Sequence, residues 1–136
     1  MSIHRFDLDS RGLARVLGDL EARIMDAVWR LGVPTINEIC ETLDPPTHYK
    51  TVLTVANRLV QKGLLTREPT ADRAFAYRAT EERGAFMRRV SASVAGGLIG
   101  DFGHDALAQF VRVAEQVDPA YLDELQRLVR EHKGTT

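Results

Sequence analysis

One cysteine, Cys40, is all that the 136 residues contain, so no disulfide can form within the chain and no cysteine cluster can hold zinc or copper. Aromatic residues are scarce at 7%, with a single tryptophan, so a core must be built chiefly from aliphatic side chains. No apolar run approaches the roughly 18–20 residues of a membrane-spanning helix, and no membrane partner is expected. Neither sign of charge prevails, with 18 Lys and Arg against 19 Asp and Glu. There is no phosphate-binding glycine loop, no nucleophile elbow, no HExxH and no catalytic pair of carboxylates, which argues against an enzyme and against a cofactor. His4, His48, His104 and His132 are scattered without an i, i+4 pair, so no metal site is expected. The opening MSIHRFDLDSRG mixes charges and lacks the apolar stretch of a secretory signal, so the expected location is cytoplasmic.

What is present is a chain that is 44% apolar, enough for a real core. Residues 1–15 read as an N-terminal arm containing the turn Asp9-Ser10-Arg11-Gly12. A first helix is predicted over about Asp19–Leu31, capped by Asp19, with Leu20, Ile24, Ala27, Val28 and Leu31 on one face. Gly32 and Pro34 end it. Thr35 and Glu38 then form a capping-box pattern ahead of a short helix whose apolar side is Ile36, Ile39 and Leu43. Asp44-Pro45-Pro46-Thr47 is a turn, and a third helix is predicted from His48 to Lys62, stopped by Gly63. Leu64–Glu68 and Ala74–Arg78 flank the turn Pro69–Arg73 and read as a β-hairpin. Three helices followed by a hairpin is the chain order of a winged helix, so the expected fold is mainly α, a winged helix-turn-helix over residues 16–79.

Residues 80–136 read as helical, with stripes at Phe86, Val90, Val94 and Leu98, then Leu107, Phe110, Val111 and Ala114, then Tyr121, Leu122, Leu125, Leu128 and Val129. Gly96-Gly97 and Gly100 to Gly103 are predicted to separate them, and Asp118-Pro119 to open the last. Three short helices bury too little surface to stand alone. A second copy would supply the missing cover. Phe86, Val90, Val94, Leu107, Phe110, Val111, Leu122, Leu125 and Leu128 are therefore the candidate homodimer residues.

The third helix carries the functional argument. On a helical projection Val52, Val55, Ala56, Leu59 and Val60 share one side, and Lys50, Thr51, Thr54, Asn57, Arg58 and Gln61 the other. An arginine can grip guanine, an amide can pair with adenine, and a threonine methyl can meet thymine. From His48 to Arg78, six basic residues (Lys50, Arg58, Lys62, Arg67, Arg73, Arg78) stand against two acidic ones (Glu68, Asp72). The basic excess is local to the predicted reading helix and hairpin, which favours double-stranded DNA as the partner.

The segments Leu17-Gly18-Asp19-Leu20-Glu21 with Met25, Trp29 and Leu31, then Tyr49-Lys50-Thr51-Val52-Leu53-Thr54, Arg58-Leu59, Lys62-Gly63-Leu64-Leu65 and Arg67, and finally Arg73-Ala74-Phe75-Ala76-Tyr77, together resemble the BlaI/MecI/CopY repressors. The resemblance implies a homodimeric repressor on a palindromic operator with a TACA/TGTA-type core. Thr51 and Thr54 would face bases, Tyr49, Arg58 and Lys62 would fix the backbone, and Arg73 would serve the wing. Lys50 departs from the small hydroxyl residue usual at its position, and Asn57 also differs from common members. In β-lactam-responsive members a sensor protease cuts before a phenylalanine; the matching pair here is Gln109-Phe110, where the family has asparagine. The copper-responsive branch carries C-terminal cysteines, and residues 80–136 contain none. Two other readings remain at this point. One is a MarR-like ligand-responsive regulator, although only about 15 residues precede the first core helix, where that family places a long helix. The other is a winged helix used for protein–protein assembly, which the basic and hydroxyl residues of the third helix disfavour.

Overall fold

The computed structural model describes residues 17–134; the expected N-terminal arm, its Asp9–Gly12 turn and His4 lie outside the described residues. Eight elements follow one another: α1 (Asp19–Leu31), α2 (Ile36–Thr42), α3 (Tyr49–Gln61), β1 (Leu65–Pro69), β2 (Phe75–Ala79), α4 (Arg83–Phe102), α5 (His104–Val117) and α6 (Ala120–Gly134). They fall into two compact units that divide between Ser93 and Val94, inside α4.

In the first unit, local chemistry sets the helix ends. The cap of α1 is Gly18 and not Asp19: the Gly18 N–H donates to Glu21 Oε1 at 3.2 Å. Asp19 is instead the first helical residue, where its carboxylate still faces the positive end of the dipole. At α2 both halves of the capping box form, Glu38 N–H to Thr35 Oγ1 at 3.3 Å and Thr35 N–H to Glu38 Oε1 at 3.2 Å. His48 caps α3, its Nδ1 accepting from the Lys50 N–H at 3.1 Å.

These three helices pack mutually. Ile24 and Val28 of α1, Ile39 of α2, and Val52, Ala56 and Leu59 of α3 are completely buried where they meet. Ala56 aside, each of these aliphatic side chains withdrawn from water contributes about 1.5–3 kcal/mol before entropy is counted. Leu31, expected on the buried face, is 43% exposed, whereas Met25 is buried.

β1 and β2 pair antiparallel, with Arg67 opposite Tyr77 and Pro69 opposite Phe75. A further rung comes from the α1–α2 link: Thr35 bridges Ala76, and the Tyr77 N–H donates to the Pro34 carbonyl at 2.8 Å. Gly32 and Pro34 therefore do more than end a helix; they lead the chain past the wing. The result is a mainly α winged helix-turn-helix.

The first turns of α4 complete this unit. Phe86 is fully buried and meets the Trp29 ring at 5.6 Å between centroids, and Val90 is buried as well. The Trp29 indole N–H donates to the Glu81 carbonyl at 2.9 Å. Phe86 and Val90 were expected at a contact between copies. They are covered within their own chain, Phe86 against the Trp29 ring of α1.

In the second unit α5 and α6 pack on each other. Asp118 links them: its backbone N–H closes α5 on the Ala114 carbonyl at 3.0 Å, and its carboxylate accepts from the Ala120 N–H at 3.0 Å. No side chain of α5 or α6 is buried. The breaks expected at Gly96-Gly97 and at Gly100 do not occur. α4 runs through all three and stops only at Gly103, whose φ of 54 belongs to the left-handed region. A helix tolerates interior glycine at about 1 kcal/mol each, so three together weaken the helix without ending it.

Candidate nucleic-acid interface

Burial of Val52, Val55, Ala56 and Leu59 against the first unit's core turns the opposite side of α3 to solvent. Lys50, Thr51, Thr54, Arg58 and Gln61 are exposed there, and Tyr49 is 44% exposed at the first turn. Thr51, Thr54 and Arg58 follow at i, i+3 and i+7, so they form one row along the helix. The α3 sequence YKTVLTVANRLVQ contains no carboxylate. Arg58, Lys50 and the Thr51 hydroxyl have no partner among the described residues, and their donors are free for a ligand. The Thr54 hydroxyl is committed backwards to the Lys50 carbonyl at 2.9 Å. That bond fixes its rotamer, with the hydroxyl oxygen still able to accept.

Two residues expected to contact DNA are otherwise engaged. The Lys62 ammonium is paired with Glu21 Oε2 at 2.7 Å, the same carboxylate that caps α1. Asn57 is only partly exposed, and its Oδ1 accepts from Tyr77 OH at 2.9 Å and from Arg67 Nη1 at 3.1 Å. Neither contact is signalled locally in sequence, since the partners of Asn57 lie 10 and 20 residues away.

The hairpin places Arg73 at its turn, exposed and with φ 67. Thr70 braces that turn: its N–H and its hydroxyl both donate to the Ala74 carbonyl, at 2.8 and 2.9 Å. Arg67 lies 4.5 Å from the centroid of the Phe75 ring, a cation–π contact that sequence inspection did not suggest. Behind the site, Arg23 of α1 reaches the Pro45 carbonyl and, at 3.5 Å, the Thr47 hydroxyl, tying the turn that leads into α3 to the core.

Burial pushes the Tyr77 phenol up, with Arg67 pulling partly back through its hydrogen bond and charge. The half-buried Cys40 thiol is also raised, by burial and then by the Glu41 charge. A raised thiol carries less thiolate, which suits a packing residue and not a redox switch. Among the described residues no group of three or more His, Cys, Asp or Glu could hold a metal ion. No described helix is long and apolar enough to cross a membrane.

Residues 17–131 match the family of the penicillinase repressor. The chain belongs to the penicillinase repressor family. The match takes in both units, so the family extends over the α4–α6 region as well as the winged helix. Among solved structures the chain is similar to the Bordetella bronchiseptica regulator BpsR, described in a study of how 6-hydroxynicotinic acid regulates its DNA binding. The identity is 14%, the alignment covers 75% of this chain and 76% of that one, and the TM-score is 0.47. No individual curated protein matches. Membership of the penicillinase repressor family makes the chain a non-enzymatic, DNA-binding transcriptional repressor.

Proposed function

We propose that this repressor acts as a homodimer on a palindromic operator, one α3 reading each half-site. The observation that carries the reading is the row Thr51, Thr54 and Arg58: exposed, free of carboxylates, and held on a helix whose other side is locked into the core. Thr51 and Thr54 offer methyl and hydroxyl groups to base edges. Arg58, Lys50, Tyr49 and the wing's Arg73 supply contacts to bases and phosphates.

The division of labour follows the two units. The first binds DNA, and the second joins copies through Leu107, Phe110, Val111 and Leu128, all exposed, together with the half-buried Val94, Leu122 and Leu125. One winged helix makes few contacts, whereas two that are joined bind together through their effective concentration. Whatever separates the copies relieves repression. Proteolysis at Gln109-Phe110 is one route, since both residues are exposed on α5 and a helix without buried side chains opens at little cost.

The test is a fluorescence-anisotropy titration against inverted repeats upstream of the protein's own gene, with scrambled DNA as control, across a salt series. Tight, palindrome-dependent and salt-sensitive binding is expected, and Thr54→Ala and Arg58→Ala should each remove about 1–3 kcal/mol of the preference for operator. Equal weak binding to both DNAs would count against a sequence-reading α3.

A further inference from the structure

Asn57 stands in line with base-reading side chains, yet its acceptor is already used. An amide reads adenine by accepting at its oxygen and donating from its nitrogen at the same time. Here Oδ1 receives two hydrogen bonds, from Tyr77 OH and Arg67 Nη1, which fills both lone pairs. The amide cannot flip to free the oxygen, because a guanidinium only donates and would then face an NH2 group. Nor can Tyr77 withdraw: its side chain is fully buried and its backbone N–H is bonded to the Pro34 carbonyl.

The beneficiary is Arg67. Its guanidinium is held by Asn57 on one side and by the Phe75 ring on another, while the residue remains exposed. The acidic neighbour on its strand, Glu68, is paired with Arg78 at 3.4 Å. Asn57 and the Tyr77 hydroxyl engage only part of the five-donor guanidinium fork, which leaves its remaining N–H groups for a phosphate. An arginine already held in place loses less rotamer freedom on binding than a free one.

We propose that Asn57 is a positioning residue of the interface, acting through Arg67 to hold the DNA backbone, and that it reads no base. This rests on the DNA-binding reading above and divides its residues into those that read and those that grip. Asn57→Ala should weaken binding to operator and to scrambled DNA by a common factor of about three to ten. The slope of log affinity against log salt should fall by about 0.9, the equivalent of one phosphate contact. Base preferences selected from a randomised half-site should match those of wild type. Arg67→Ala should give the same pattern, and Asn57→Ala should change nothing further when added to it.

Asn57→Asp keeps an acceptor for Tyr77 and Arg67 and so remains informative if the alanine variant fails to fold. A carboxylate facing a base would draw cytosine to one position, whereas a carboxylate bracing Arg67 leaves every preference as it was. A relaxed or switched preference at a single base, with the salt slope unchanged, would overturn the proposal. Absence of salt-sensitive binding by the wild-type protein would be a different failure, that of the DNA-binding reading itself, and would take this inference with it.

Discussion

Tyr77 shows how one side chain can belong to the core and also brace the candidate interface. Its ring is fully buried, and its hydroxyl donates to Asn57 on α3. Burial, only partly offset by Arg67, raises its ionisation above the ordinary value of 10.0. The folded protein therefore holds this proton more tightly than the unfolded chain does. The stabilisation is complete below about pH 10 and is lost as pH climbs towards and through the folded value. Urea midpoints measured from about pH 9 to about pH 11 should fall more steeply for wild type than for Tyr77→Phe, which has no phenol to ionise. Identical slopes would mean that the phenol titrates freely. Asn57 teaches the complementary lesson about reading a sequence. Its contacts were hidden, because Arg67 and Tyr77 reach it from another element and no local spacing announces them. The same holds for Lys62, whose partner Glu21 lies on α1.

Segments proved easier to read than contacts. The Thr35–Glu38 capping box, the proline turn before α3 and the hairpin between Gly63 and Thr80 were all visible, because each depends on residues close in sequence. The bridge from Thr35 to Ala76 was not, since it depends on a strand 41 residues away. The glycines of α4 misled in the other direction. Gly96, Gly97 and Gly100 look like punctuation, yet they are helical, and a Cβ at any of them would meet nothing within 4 Å. Gly96→Ala and Gly97→Ala should accordingly each stabilise the helix by about 1 kcal/mol, read as added helicity by circular dichroism and a higher thermal midpoint. A lower midpoint would mean that another copy packs directly on the bare backbone.

Exposure differs sharply between the two units. The first has a core of completely buried side chains such as Ile24, Val28, Ile39, Val52 and Leu59, while the second leaves Phe102 62%, Val117 69% and Phe110 50% exposed. An isolated three-helix segment of this kind has too small a core to be stable, which is why self-association is the economical explanation for it. Phe110→Asp should shift the protein from dimer to monomer in sedimentation. It should weaken operator binding by about a hundredfold or more through loss of effective concentration, with the winged helix still folded. A monomer that bound operator as tightly as wild type would separate dimerisation from repression.

The lone tryptophan gives these experiments a built-in observer. Trp29 touches Phe86 and is hydrogen-bonded to the Glu81 carbonyl, both within the first unit. Its emission therefore follows the winged helix alone, while far-ultraviolet dichroism sums helices from both units. During denaturation the two signals will coincide only if the units melt as one. Any gap between the two curves measures, without labels or truncation, how far the α5–α6 half unfolds independently of the winged helix.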